Sequence, residues 1–175
     1  DEMRIELMAG QYLDVREAGE RSPSVDRSLR IARYKSGKYT IERPLHLGAS
    51  LAITDEAERK DLTNILSAYG LPLGEAFQLR DDMLGIFGDP SVTGKPAGDD
   101  IREGKRTVLM AMTLERADKA SAAKITAALG REDLTPDQIE EIRALITATG
   151  AVKVVEDLIE GLLSNALTAA NSDEI

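Results

Sequence analysis

Apolar residues recur along this chain at spacings of three and four almost without a break, the period of helices that bury one face. Alternating β-branched and aromatic runs are missing, and aromatics are only 3% of residues, so strands are not expected. The pattern predicts a first helix through about Val15, a second opened by Ser24 with Asp26 in its first turn, and a third over residues 39–53. Thr54 stands before Asp55 and Glu56, an N-cap hydroxyl ahead of carboxylates that suit the positive end of a helix dipole, and it opens a fourth. That helix is expected to stop at Tyr69-Gly70, with Gly70 as the C-terminal glycine and a fifth helix over residues 71–87. A loop over residues 88–100 follows, then helices over 107–118 and 120–129. Thr135-Pro136-Asp137-Gln138 combines an N-cap, a proline at the first helical position and a capping-box glutamine. The last helix, Ala151–Ala170, places Val152, Val155, Leu158, Ile159, Leu162, Leu163 and Ala166 on one face, and residues 171–175 are expected to fray. The chain is thus expected to be all-α, with residues 1–175 in a single helical domain.

Composition acts on this picture mainly by exclusion. Absence of cysteine removes disulfides, thiolate zinc sites and a cysteine nucleophile together, and makes a cytoplasmic protein the default expectation. A net charge of -9 argues against a nucleic-acid surface, which needs clustered Lys and Arg. No run of about 18 apolar residues predicts a transmembrane segment. The start, Asp1-Glu2-Met3-Arg4-Ile5, is already helix-like and carries no signal-peptide pattern, so the chain is expected to be part of a longer protein. The single histidine, His46, has no carboxylate or second histidine at ligand spacing, and is expected to be a satisfied, partly buried helix residue.

The chemistry-bearing positions lie in three places. On the helix Phe77-Gln78-Leu79-Arg80-Asp81-Asp82-Met83-Leu84-Gly85, Gln78, Asp81, Asp82 and Gly85 fall on one side and apolar residues take much of the rest. Adjacent carboxylates on a largely apolar helix need compensation, and an oxygen-only donor set without Cys or His favours Mg²⁺. An ordinary salt-bridged face fits the same spacing. The following segment offers Lys95, Lys105 and Arg106 among Gly88, Gly94, Gly98 and Gly104, a composition suited to an anion, although Pro96 and the spacing exclude a Walker A loop. A solvated connector would look alike. In Tyr34-Lys35-Ser36-Gly37-Lys38, one helix is expected to end at Gly37; Lys35 and Ser36 can grip a phosphate there or simply favour the helix dipole.

Taken together and in this order, Tyr34-Lys35-Ser36-Gly37, the stretch from Phe77 to Asp89, and Gly94-Lys95-Pro96-Ala97-Gly98-Asp99-Asp100-Ile101-Arg102-Glu103-Gly104-Lys105-Arg106-Thr107 resemble the trans-isoprenyl diphosphate synthases. Gly10-Gln11-Tyr12-Leu13-Asp14 resembles an earlier helix of the same family, and the style is that of bacterial geranylgeranyl or short-chain polyprenyl diphosphate synthases. The resemblance implies a helical bundle of the isoprenoid synthase type with its N-terminal helices absent, a homodimer, and condensation of isopentenyl diphosphate with an allylic prenyl diphosphate. It implies Asp81 and Asp82 as Mg²⁺ ligands, with Lys35, Ser36, Gln78 and Lys95 on the diphosphate, Lys105 as a supporting cation, and Asp99 and Asp100 ordering the loop. Where the family's second aspartate-rich motif often has a third Asp, this chain has Gly85, so the water-mediated contact expected there is either absent or supplied by Asp89. The family's first aspartate-rich motif, its arginines and its isopentenyl diphosphate site would lie upstream of Asp1, which leaves half an active site here. A non-catalytic partner subunit and, more distantly, a terpene cyclase are the competing readings.

Overall fold

A computed structural model of the chain describes residues 1–18, 24–94, 96 and 98–171. Among them every regular element is helical: α1 (Glu2–Ala18), α2 (Val25–Ala32), a π-helical segment (Arg33–Glu42), α3 (Arg43–Ala52), α4 (Glu56–Phe87), α5 (Pro90–Thr93), α6 (Asp99–Arg102), α7 (Val108–Arg116), α8 (Lys119–Ala128), α9 (Pro136–Ala148) and α10 (Ala151–Ala170). No described helix is long and apolar enough to cross a membrane.

Two compact units form. The first comprises Asp1–Asp14, Leu29–Gln78 and the chain from Asp157 on. Its buried apolar residues are few and mostly small: Ile31, Ala32, Ala49, Ala76, Ile159 and Ala166. The same unit exposes Ile5, Met8, Tyr12, Leu47, Leu51, Phe77 and Leu167, each more than half accessible. The second unit, Val15–Ser28 with Leu79–Glu156, has the larger core, built on Leu79, Ile86, Ile101, Leu109, Met110, Ile125, Ile139, Ile146 and Val155. Burying side chains of this size stabilises by roughly 2 kcal/mol each, so most of the apolar driving force resides there.

The helices follow their local signals where those are caps. Thr135 Oγ accepts from the Gln138 amide while the Gln138 side chain accepts from the Thr135 amide, closing the capping box, and Ile139, Ile142 and Ile146 of α9 then turn inward. Thr107 caps α7 through the Met110 amide, and Asp118 caps α8 through Ala120 and Ser121. At α4 the cap is Asp55 rather than Thr54, its carboxylate accepting from Glu58 N at 2.9 Å. Both residues are good caps; the one adjoining the first helical residue takes the role.

The larger departures concern glycine. Gly70 does not end a helix: α4 runs unbroken from Glu56 to Phe87, through Gly70 and Pro72, joining the expected fourth and fifth helices. In the first unit, a Cβ at Gly70 would press on Leu45 and the backbone of Glu42, and one at Gly74 would overlap the backbone of Gly37. One turn apart, these two glycines make a groove on α4 in which the π-helical backbone lies. Glycine in mid-helix costs about 1 kcal/mol against alanine and proline about 3, and close backbone packing outweighs that local preference. Gly37 likewise ends nothing; the chain stays helical from Val25 to Ala52.

Candidate functional site

Two of the expected site residues, Lys35 and Ser36, ride on the π-helical segment of the first unit. Wide π turns project side chains out of α-register, and they recur at functional positions. The segment is held from two sides. Gly74 meets Gly37 as described, and on the opposite partner a Cβ at Gly10 of α1 would overlap the backbone of Tyr34 and Lys35. That approach brings Asp14 to Lys35, with Oδ2 2.6 Å from Nζ. Both side chains are about a quarter to a third accessible, and an ion pair of that exposure is worth roughly 1 kcal/mol or less, so Lys35 can exchange Asp14 for a phosphate at little cost. Ser36 is buried, its hydroxyl 3.2 Å from Thr40 Oγ1. Gln78 of α4 is partly exposed.

Around this segment lies a charge network that sequence reasoning passed over. Glu6 of α1 takes two hydrogen bonds of 2.8 Å from Arg43 and pairs with Lys38, whose ammonium stands 5.2 Å above the Tyr34 ring. The Arg43 hydrogen bond, and next Lys38, hold the Glu6 carboxyl below its ordinary range against the opposing effect of burial. His46 joins the same network: Ser67 donates to Glu42 Oε1 at 2.9 Å, so His46 Nε2–H donates to Ser67 Oγ at 2.8 Å, and Nδ1, 3.2 Å from Arg43 Nη1, accepts. This histidine holds helices together.

In the second unit, Asp81 is exposed while its neighbour Asp82 is 9% accessible. The apolar residues of this part of α4 are not uniformly buried either. Leu84, spaced to fall with Asp81 on one side of the helix, is about half exposed, whereas Leu79, Met83 and Ile86 are core. Among the described residues no three His, Cys, Asp or Glu side chains form a cage for a metal ion. Adjacent carboxylates, one exposed, do fit the way Mg²⁺ is held by one or two carboxylates with phosphate oxygens and water completing its shell.

Asp89 and Asp100, which follow α4 in sequence, are placed differently. Asp89 caps α5, its Oδ1 accepting from Ser91 N at 2.8 Å and Ser91 Oγ at 2.7 Å. Those bonds hold its carboxyl below the usual range. It is Asp100, at the start of α6, whose carboxylate occupies the space beside Gly85: a Cβ there would overlap Cγ and both oxygens. Asp100 is 6% accessible and meets Lys105 at 2.5 Å, and Lys105 also meets Glu103 at 2.9 Å. Burial pushes the Asp100 carboxyl up, with Lys105 opposing and the charge of Asp81 adding to the rise. Burial would pull Lys105 down, but its bonds to Asp100 and Glu103 prevail and hold it well above the ordinary lysine range. Next to it, Arg106 has Nε and Nη1 buried with no hydrogen-bond partner among the described residues. Lys95 lies outside the described residues.

These features have counterparts among known proteins. A model of the family described as polyprenyl synthetase matches residues 1–146. The chain is 31% identical over 165 residues to a geranylgeranyl diphosphate synthase of Mycobacterium tuberculosis, covering 94% of this chain and 46% of that protein. Among solved structures it is similar to the geranylgeranyl pyrophosphate synthase of Corynebacterium glutamicum complexed with isoprenyl diphosphate and magnesium, at 45% identity and a TM-score of 0.91, over 99% of this chain and 47% of that one. A polyprenyl synthase of Caulobacter crescentus, complexed with calcium and isoprenyl diphosphate, is similar at 28% identity and a TM-score of 0.85, over 99% of this chain and 52% of that one. The chain spans about half the length of the curated relatives it matches. On a family match that runs from α1 into α9, carried by a wholly helical fold, the chain belongs to the polyprenyl synthetase family.

Proposed function

We propose that the protein containing these residues is a prenyltransferase that joins isopentenyl diphosphate to an allylic prenyl diphosphate, giving a longer linear prenyl diphosphate. These residues serve as the C-terminal part of its catalytic domain. The observation that carries the reading is the state of α4. Asp81 is solvent-facing beside a buried Asp82, with half-exposed Leu84 about one turn on, a carboxylate beside apolar surface suited to a diphosphate with a hydrocarbon chain.

In this reading Asp81, with Asp82 as a direct or water-mediated partner, would hold Mg²⁺. The bound ion supplies positive charge against the diphosphate that departs from the allylic carbon. Lys35, released from Asp14, donates to the diphosphate oxygens, and Ser36, Gln78 and Lys95 are the further donors we assign to the same group. Lys105 stands by as a cation whose charge is secured by its two carboxylates. Such donors accelerate departure because their stabilisation grows as charge collects on the leaving oxygens. The π electrons of isopentenyl diphosphate form the new carbon–carbon bond and a proton is then lost from its chain.

We further assign a homodimer. Ile5, Met8 and Tyr12 repeat at three and four along α1 and are all more than half exposed, a stripe of the kind that packs against another helix. The experiment that tests the function is incorporation of labelled isopentenyl diphosphate into acid-labile product by the full-length protein. Product that disappears with Asp81→Ala supports it. A protein that binds a complete synthase yet forms no product would instead be the non-catalytic partner, and a cyclic hydrocarbon product would indicate a cyclase.

A further inference from the structure

Gly85 and Asp100 are fifteen positions apart in sequence, yet one has no side chain where the other's carboxylate lies. The arrangement is asymmetric. Asp100 is 6% accessible, while the ammonium it holds belongs to a side chain 34% accessible, so a buried acid presents a cation toward the surface. The backbone closes the same unit: Lys105 N donates to the Asp100 carbonyl at 3.0 Å. Gly85 lies one helical turn beyond Asp81, a separation of about 5–6 Å between Cβ positions on one helix face. Two of the three ammonium donors go to Asp100 and Glu103. Glu103 is about half exposed and its bond to Lys105 is readily exchanged, whereas removing Asp100 would strand a partly buried charge.

We propose that Asp100 is a positioning residue of the diphosphate site: its carboxylate fills the slot opened by Gly85, one turn from Asp81, and holds Lys105 from there, leaving Glu103 as the contact a phosphate oxygen replaces. The inference rests on the function proposed above. It carries an unobvious consequence, that aspartate at position 85 harms this chain, because the slot is already occupied.

The test is calorimetric titration of the full-length protein with pyrophosphate in the presence of Mg²⁺, paired with thermal unfolding of each variant in that protein. Gly85→Asp should weaken binding by about tenfold, and Gly85→Asp combined with Asp100→Gly should return it to within about threefold, since one carboxylate then again occupies the slot. Asp100→Asn should weaken binding by about tenfold in the unaltered chain and by less than about twofold in a Lys105→Ala background. Irrespective of ligand, Gly85→Ala should lower the melting temperature in the unaltered chain and leave it unchanged or raised when Asp100 is glycine. Gly85→Asp binding as tightly as the unaltered chain overturns the inference alone. So does an Asp100→Asn effect that persists without Lys105, which would mean direct contact rather than positioning. Failure of the unaltered full-length protein to bind pyrophosphate in the presence of Mg²⁺ overturns the function and, with it, the positioning role.

Discussion

At the scale of single residues, charge and exposure separate groups that a helical wheel places together. Asp81 and Asp82 are neighbours, yet one faces solvent and the other is nearly buried, so their substitutions should differ in kind. Asp81→Ala should leave the melting temperature within a few degrees and remove most Mg²⁺-dependent pyrophosphate binding. Lys35→Ala should weaken that binding by roughly ten- to a hundredfold, the loss of one charge-assisted hydrogen bond worth roughly 1.5–3 kcal/mol, as titration calorimetry would register. Glu6 provides a pH test. Its carboxyl is held below the ordinary value of 4.5, so the folded state binds its proton less readily than the unfolded state does. The stability it contributes is therefore fully present above about pH 4.5 and is lost as pH falls through the lowered folded value. Denaturant midpoints measured from pH 6 downward should fall more steeply in the unaltered chain than in Glu6→Gln.

At the scale of elements, glycine makes opposite predictions at different positions of one chain. Gly74→Ala should destabilise by about 1–3 kcal/mol, because the added methyl meets the Gly37 backbone and neither helix can yield without moving Lys35 and Ser36. Gly48→Ala in α3 and Gly161→Ala in α10, where no atom stands within 4 Å of the new Cβ, should each stabilise by about 0.5–1 kcal/mol. Chemical denaturation distinguishes the two classes. These cases also show what was legible beforehand. Caps are local, so Thr135 with Gln138 could be read directly; of the stripe expected on α10, Val155, Ile159 and Ala166 are buried but Leu163 is exposed. Gly70 and Gly74 could not: the same residue type that ends helices also admits a second backbone, and only the packed structure tells which role it has. The π-helical segment escaped for a related reason, since its register is set by contacts with α1 and α4 rather than by its own residues. The Asp100 carboxylate at Gly85 is a long-range contact with no local pattern at all, and the local candidate, Asp89, was already engaged in capping.

At the scale of the whole molecule, the two units differ in how apolar surface is disposed. One has a well-filled core; the other buries chiefly alanines and exposes large apolar side chains along α1, α3 and α10. Surface of that kind belongs to interfaces. If the α1 stripe mediates a homodimer, Met8→Glu should shift sedimentation of the full-length protein toward monomer, whereas Val92→Glu, on the exposed face of α5, should not. The central claim is that α4 carries one wall of a diphosphate and Mg²⁺ site in a chain-elongating prenyltransferase. Its most direct test is incorporation of labelled isopentenyl diphosphate into acid-labile product by the full-length protein and by its Asp81→Ala variant. The expected result is robust Mg²⁺-dependent product from the first and a loss of roughly 100-fold or more in the second; equal turnover by the two would contradict it.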